Sequence, residues 1–206
     1  MTKSKRIKYI LTDLDGIIRV WTNEKVSKYE KDNNLESGSI HKIFFKSVLL
    51  IKAITGILSD DEWREEIALL LKDKYPDLNI SEMIKVVTNE EYTINHRILE
   101  LYKEYFPNSF LVLTTNATSR LNKDLEKDNI LSFFDFIYNS SMIGVAKPQK
   151  EYYLRIKDDL NFTHDEVIYI DDSLKNIEVA RSLGIKSHYF KELDSLEVFL
   201  RENTSK

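Results

Sequence analysis

Residues 7–16, with the sequence IKYILTDLDG, decide the fold of this chain because a short apolar run ends there in two aspartates and a glycine. The period-two geometry of a strand predicts that Asp13 and Asp15 point the same way, with Leu14 on the opposite face. Two carboxylates aimed at one point repel each other unless a cation or a proton lies between them. Gly16 allows the backbone to turn away sharply at that spot. Folding does not require this arrangement, so the stretch predicts a strand that leads into a functional site.

The composition is that of a globular protein, because 42% of the 206 residues are apolar and 31% are charged. A chain of this length can bury a real core, either as one large domain or as two small ones. The formal net charge of −4 provides no broad basic surface, which argues against nucleic acid as the main partner. The sequence leaves the oligomeric state unknown and is compatible with a monomer.

The number of cysteines and the lengths of the apolar runs indicate the cellular compartment in which the protein is expected. The chain has no cysteine, which excludes disulfides and thiolate metal sites and favours a reducing compartment. The apolar run behind the basic segment MTKSKR meets Asp13 too early for a signal peptide. No uncharged apolar run approaches the roughly 20 residues that span a bilayer. We therefore expect a cytoplasmic protein with no membrane partner.

Residues 20–92 have a polar and helical pattern. Residues 23–39 predict a helix followed by a loop, and residues 40–89 are helical in pattern, with Gly56 as a candidate break. Ser59 and Glu62 have the spacing of a capping box at the start of a helix. The residues predicted to share one face of that helix are Trp63, Ile67, Leu70 and Leu71. Pro76 is expected to end it.

From residue 93 onward, apolar strands alternate with amphipathic helices. The predicted strands are 110–114, 136–138, 167–170 and 186–190, and the predicted helices are 94–105, 119–127, 149–160 and 174–183, with Gly184 at the C′ position of the last. This alternation predicts an α/β fold with a doubly wound, Rossmann-like parallel sheet. We expect residues 1–19 and 93–206 to form this core and residues 20–92 to form an inserted helical domain.

Polar side chains follow each predicted strand at the edge where a parallel sheet binds its ligands. They are Asp13 and Asp15, Thr114 to Asn116, Lys147, and Asp171 to Ser173. Taken alone, Asn116 also fits a helix cap and Asp171 and Asp172 also fit helix-dipole matching. Considered as one group, the carboxylates provide the hard oxygen ligands that Mg²⁺ prefers. A metal ion beside a lysine and hydroxyl donors is a combination that binds phosphate.

Four segments, DLDG (13–16), LTTN (113–116), GVAKP (144–148) and IDDSLKN (170–176), resemble the four motifs of the haloacid dehalogenase-like (HAD) hydrolase superfamily. The helical insert matches the position of the helical cap in that superfamily. Residues 55–67, TGILSDDEWREEI, resemble a cap segment of its bacterial sugar-phosphatase branch. An acid at Asp15, where true dehalogenases of the superfamily carry a different residue, favours phosphate chemistry over carbon–halogen cleavage.

The resemblance implies a role for each site residue. Asp13 is the expected nucleophile, and Asp15 is the expected general acid and base. Thr115, the backbone at Asn116, and Lys147 are expected to hold the phosphoryl group. The implied Mg²⁺ ligands are the Asp13 carboxylate, the Asp15 carbonyl and the Asp172 carboxylate, with Asp171 either a direct ligand or one step removed.

The sequence therefore predicts an Mg²⁺-dependent phosphatase that acts on a small-molecule phosphomonoester through an aspartyl-phosphate. A sugar phosphomutase of the same superfamily remains an alternative, because the motifs do not distinguish the two. A phospho-acceptor module such as a receiver domain uses similar residues, but it has no large insert, and a two-metal nuclease does not fit the acidic balance. Trp21 is predicted to be a packing residue at the hinge, and the four histidines have no metal-ligand spacing.

Overall fold

The computed structural model describes residues 6–204, so most of the segment MTKSKR lies outside the described residues. The strands are β1 Tyr9–Thr12, β2 Arg19–Trp21, β3 Tyr92–Ile94, β4 Phe110–Thr115, β5 Phe136–Asn139, β6 Val167–Asp171 and β7 Lys186–Tyr189. The helices are α1 Glu24–Asp32, α2 Ser39–Phe45, α3 Val48–Ile54, α4 Asp60–Lys74, α5 Ile80–Thr88, α6 His96–Tyr105, α7 Leu121–Lys127, α8 Ser140–Ile143, α9 Lys150–Leu160, α10 Leu174–Ser182 and α11 Leu193–Asn203. Within this part of the chain, no helix combines the length and apolar character that crossing a membrane requires.

Five strands form one parallel sheet in the order β5-β4-β1-β6-β7. β1 lies at the centre, where Leu11 is opposite Val112 of β4 and Tyr169 of β6. All four residues of β1 are buried. A parallel strand covered on both faces reads as a continuous apolar run, which is why residues 9–11 show no alternation. The predicted doubly wound α/β fold is confirmed.

The two faces of the sheet are covered by different helices. Ile10 packs in a cluster with residues of α6, α7 and α11, whereas Leu11 packs in a cluster with residues of α9 and α10. Neighbouring residues of a strand point to opposite faces, so β1 contributes to both clusters. This arrangement exposes only the ends of the central strands.

The helices α1 to α5, which we call the cap helices, enclose a third hydrophobic cluster. Phe44, Trp63, Ile67 and Met83 are buried in it. The capping box is confirmed, because the Ser59 hydroxyl accepts from the Glu62 amide and the Glu62 carboxylate accepts from the Ser59 amide. Leu70 was wrongly placed on the buried face of α4, since 45% of its surface is exposed.

Asp60, the first residue of α4, makes two hydrogen bonds that join the cap helices to the core. Its carboxylate accepts from the Thr118 hydroxyl at 2.7 Å, and its amide donates to the Ser119 hydroxyl at 3.0 Å. Thr118 and Ser119 belong to the loop that follows β4. The start of α4 is therefore tied to the same loop that carries Asn116.

Several elements differ from the sequence prediction. The part of the predicted helical pattern between residue 40 and Gly56 is two helices, because the chain turns at Lys46 and Ser47. Ile94 lies in β3, which pairs antiparallel with β2 in a separate two-stranded sheet, so α6 begins at His96. These strands have three residues each, too few to produce a recognisable alternation.

The final helix α11 was also missed. Its buried residues Leu196 and Leu200 are four positions apart, which is a helical signal in a polar segment. By contrast, Gly184 follows the end of α10 with a φ of +80°, in agreement with its predicted C′ position.

Candidate active site

Asp13 and Asp15 leave the end of β1 in different environments. The residue between them, Leu14, is fully buried in the core, as the strand geometry predicts. The turn that follows is closed by the amides of Ile18 and Arg19, which donate to the Leu14 carbonyl at 2.9 and 2.8 Å. Asp13 is buried, while the side chain of Asp15 is 42% exposed.

Lys147 lies between two buried carboxylates. Its ammonium is 2.8 Å from Asp13 Oδ2 and 2.8 Å from Asp171 Oδ2, and it donates to the Thr114 carbonyl at 2.9 Å. Burial alone would lower the pKa of Lys147, but the charges of Asp13 and Asp171 outweigh it and raise that pKa. The lysine is therefore a permanent cation at the end of the central strands.

The Asp13 carboxyl has an unusual affinity for protons. Burial, opposed by Lys147 and reinforced by the charge of Asp171, raises the pKa of Asp13 to about 7 from 3.8. Partial burial and the charge of Asp171 also raise the pKa of Asp172. The nearby positive charge is therefore too small to balance the negative charge of both carboxylates.

Asp171 differs from its neighbour because protein donors occupy both of its oxygens. Oδ2 accepts from Lys147 and from the Tyr169 hydroxyl, while Oδ1 accepts from the Ser173 amide at 2.8 Å and the Asn176 amide group at 2.9 Å. Burial opposes its ionisation, but Lys147 and these donors hold the pKa of Asp171 below its ordinary value. Asp171 is well placed to fix Lys147 and has little capacity left for another ligand.

Three carboxylates form a group that could hold a metal ion. One oxygen from each of Asp13, Asp171 and Asp172 lies within 4.8 Å of the other two. The sequence prediction required Asp13 and Asp172 to approach each other, although 159 positions separate them in the chain, and this distance meets that requirement. Three carboxylates against one ammonium leave an excess of negative charge, so the donor set fits a hard divalent cation.

Gly16 provides the space for Asp172. Its φ is +79°, and a Cβ at this position would lie 2.0 Å from Asp172 Oδ2. Only glycine combines this left-handed conformation with such a close approach. The turn after β1 and the end of β6 are thereby brought into direct contact.

Asn116 holds Lys147 through the backbone. Its side-chain amide donates to the Lys147 carbonyl at 2.9 Å, and its side-chain oxygen accepts from the Lys147 amide at 2.8 Å. Thr115 ends β4 and is buried. A cavity of about 450 Å³ opens at this edge of the sheet, and its walls include Asp13, Asp15, Thr115, Asn116, Lys147 and Asp172. Asp171 lies behind the cavity wall rather than in it.

Two residues that the sequence analysis did not assign to the site bind the Asp15 carboxylate. Arg19 donates to Asp15 from Nε at 2.7 Å and from Nη2 at 3.0 Å, and the Trp21 indole donates at 2.7 Å. The prediction of Trp21 as a packing residue therefore missed its hydrogen bond to Asp15. A single arginine within the apolar run IIRVW was the available signal, since a buried guanidinium needs a carboxylate partner.

Comparison with known proteins identifies the family. The sequence model of the haloacid dehalogenase-like hydrolases matches residues 55–190, about two thirds of the chain. The chain therefore belongs to the haloacid dehalogenase-like hydrolases, a family of enzymes. The matched region includes Thr115, Lys147 and Asp172 and begins after Asp13.

One curated relative is similar to this chain in sequence, and two solved structures have the same fold. Bifunctional epoxide hydrolase 2 from Sus scrofa is 22% identical over 202 residues, covering 89% of this chain and 36% of that protein. A HAD-like family hydrolase from Porphyromonas gingivalis has a TM-score of 0.75 at 20% identity, covering 98% of this chain and 100% of the other. A HAD-family enzyme from Bacteroides thetaiotaomicron, in complex with magnesium and inorganic phosphate, has a TM-score of 0.72 at 22% identity, covering 90% and 94%. The chain spans 14% to 36% of the length of the curated relatives that it matches.

Proposed function

We propose that this chain is an Mg²⁺-dependent phosphatase that hydrolyses a small phosphorylated metabolite, such as a sugar phosphate, through an aspartyl-phosphate on Asp13. The observation that carries the proposal is the buried contact of Lys147 with Asp13, at the edge of the sheet that also presents Thr115 and Asp172. The complex of the Bacteroides thetaiotaomicron enzyme with magnesium and inorganic phosphate supports both the ion and the anion.

The proposed first step transfers the phosphoryl group to the protein. Asp13 attacks phosphorus, the bond from phosphorus to the leaving oxygen breaks, and Asp15 gives that oxygen a proton to release an alcohol. In the second step a water molecule loses a proton to Asp15 and attacks phosphorus, which frees the Asp13 carboxylate and inorganic phosphate. Asp15 ends in its starting protonation state, so the cycle balances.

The remaining residues bind and orient the phosphoryl group. Lys147, the Thr115 hydroxyl and the backbone at Asn116 would bind the phosphoryl oxygens, while Asp171 fixes the lysine. Asp13, Asp172 and the Asp15 carbonyl would hold Mg²⁺, with Asp171 adjacent. The ion would supply positive charge that offsets the repulsion between the Asp13 carboxylate and an anionic substrate.

We also propose that residues 20–92 act as the cap over this site. Two observations support this: α1 to α5 have a hydrophobic cluster of their own, and the antiparallel pair β2–β3 brings both ends of the segment together. Arg19 and Trp21 belong to β2, so the pair also carries the two residues that bind Asp15.

The test of the function is Mg²⁺-dependent release of phosphate from p-nitrophenyl phosphate. We expect the wild-type protein to release phosphate and the Asp13→Asn variant to lose at least about 10³-fold in kcat, because an amide cannot act as the nucleophile. Asp73→Asn, an exposed change on α4, is the control and should leave kcat unaltered. Turnover by Asp13→Asn at a rate close to that of the wild type would rule out Asp13 as the nucleophile.

The identity of the product separates a phosphatase from a mutase. With glucose 1-phosphate as substrate, we expect inorganic phosphate and glucose. Accumulation of glucose 6-phosphate would instead mean that the phosphoryl group on Asp13 passes to a sugar hydroxyl.

A further inference from the structure

A second cavity, of about 510 Å³, lies between the cap helices and the loop after β4. Asp15, Trp21 and Asn116 line both this cavity and the one beside Asp13. The two spaces therefore meet at Asp15, where the leaving oxygen of a substrate would receive its proton. A group esterified to a phosphate beside Asp13 would extend from this junction into the second cavity. Its volume is in the range of ligand pockets.

The charges in the wall of this cavity are balanced. Four carboxylates face four cations, and three of the cations are arginines that already have a carboxylate partner. The pairs are Arg19 with Asp15 at 2.7 Å, Arg64 with Asp60 at 2.5 Å, and Arg120 with Asp124 at 2.9 Å. The fourth carboxylate, Glu90, is bound by backbone amides, and the fourth cation, Lys127, has no carboxylate partner among the described residues.

This balance disfavours a second anion on the substrate. A phosphate or carboxylate in this cavity would have to break an existing pair to obtain an arginine, and the released carboxylate would then repel it. Glu90 is held in place because its carboxylate accepts from the amides of Lys25 and Val26. A second anion would therefore have only Lys127 to bind, in a wall whose formal charge is zero, and this favours an uncharged group.

Aromatic side chains form much of the remaining wall. Trp21 and Phe45 are 37% and 43% exposed, although both are large and apolar. The ring centroids of Trp21 and Tyr92 are 4.7 Å apart, and those of Phe45 and Trp63 are 6.5 Å apart. Exposed aromatic surface inside a cleft marks a place where a ligand with an apolar face is covered from water.

From this charge balance and these exposed rings, we propose that the leaving group of the substrate is uncharged and has a flat apolar or aromatic face. This inference rests on the proposed phosphatase function and narrows its substrate class. Phosphomonoesters with a second phosphate or a carboxylate would be poor substrates. Esters whose alcohol carries an aromatic ring would be good ones.

Three synthetic esters with similar reacting ends test the proposal: ethyl phosphate, 2-phenylethyl phosphate and 2-carboxyethyl phosphate. We expect kcat/KM for the phenyl ester to exceed that for the ethyl ester by about tenfold or more, since burying a ring is favourable by at least that factor. The carboxylate ester should be no better than the ethyl ester. A preference for the carboxylate, or no preference for the ring, overturns the proposal.

Phe45→Ala connects any preference to this cavity. The variant should lose most of the advantage of the phenyl ester over the ethyl ester, because Phe45 lines the second cavity and not the one beside Asp13. Leu69→Ala is the matched control, since Leu69 is a 64% exposed apolar residue of α4 outside the cavity wall. An unchanged ring preference in Phe45→Ala would contradict the proposed position of the leaving group.

Failure of the proposed function gives a different result. If the wild-type protein releases phosphate neither from p-nitrophenyl phosphate nor from any of the three esters, the phosphatase proposal fails. Calorimetric affinities of the same esters for the Asp13→Asn variant then still decide the inference: tighter binding of the phenyl ester supports it, and equal or weaker binding overturns it.

Discussion

The edge of the sheet and the cleft under the cap helices differ in how their charges are balanced. At the edge, Asp13, Asp171 and Asp172 share the single cation Lys147, so negative charge remains in excess. In the cleft, carboxylates and cations are equal in number, and the arginines are paired. An excess charge in a site requires something from solution to neutralise it, whereas a balanced wall does not. This difference supports the proposals that the first region binds Mg²⁺ and that the second receives an uncharged leaving group.

The largest effect is expected from removing the cation of the sheet edge. Lys147→Met leaves Asp13 and Asp171 buried side by side, so we expect a loss of about 3–5 kcal/mol in the free energy of unfolding together with the loss of activity. The loss should be greater at pH 8 than at pH 5.5. Lys147 lowers the pKa of Asp13, so that pKa rises further in the variant, and a carboxyl with a raised folded-state pKa loses stability as pH rises toward that pKa.

Urea denaturation at the two pH values measures this effect. Lys150→Met, an exposed change at the start of α9, is the control and should alter stability by less than about 0.5 kcal/mol. A Lys147→Met variant as stable as the wild type would show that the excess of negative charge at the sheet edge is unimportant.

An intermediate effect is expected from Gly16→Ala, which changes the geometry of the sheet edge without changing its charge. The new Cβ would displace Asp172, so Mg²⁺ affinity should fall about tenfold or more. The left-handed φ adds a backbone cost of about 1–2 kcal/mol. Calorimetric titration with Mg²⁺ and thermal unfolding measure the two effects separately.

Gly38→Ala is a matched control for the backbone cost. Gly38 has a φ of +78°, but nothing lies within 4 Å of the position of its Cβ. It should lose similar stability and keep wild-type Mg²⁺ affinity. If both variants bind Mg²⁺ equally well, then Asp172 is not a ligand.

The smallest effect is expected at the junction of the two regions. Arg19→Lys keeps the positive charge in the cleft but loses the two-point hydrogen bond that holds Asp15, so kcat should fall about three- to tenfold with little change in stability. Steady-state kinetics with p-nitrophenyl phosphate measure it. Arg97→Lys, which alters an exposed arginine paired with Glu104, should have wild-type kcat. An equal kcat in both variants would mean that the position of Asp15 does not depend on Arg19.

The sequence predicted the sheet edge much better than the cleft. Asp13, Thr115, Lys147 and Asp172 each follow an apolar run, and the carboxyl ends of parallel strands meet at one edge. Their convergence could thus be inferred from the strand pattern. The donors that bind Asp171 were not predicted, although those from Tyr169, Ser173 and Asn176 lie within five positions of it.

The cleft depends on contacts between segments that are far apart in the chain. Arg64 appears in the sequence as one more charge on a helix, and Trp21 as an apolar residue after a turn. Their positions follow from the packing of α4 against the loop after β4, through Asp60 and Thr118, and from the pairing of β2 with β3. No local pattern encodes either contact.

The sequence by itself determined the α/β class, the alternation of strands and helices in the core, the helix cap at Ser59 and the set of polar residues that follow the strands. These features depend on strand and helix periodicity and on hydrogen bonds between residues a few positions apart. Tertiary structure alone decided that α4 is joined to the loop after β4, that β2 pairs with β3, and that the walls of the cleft come together with no net formal charge. The physical reason is that these features depend on which elements pack against each other. Packing brings together residues that are far apart in the chain.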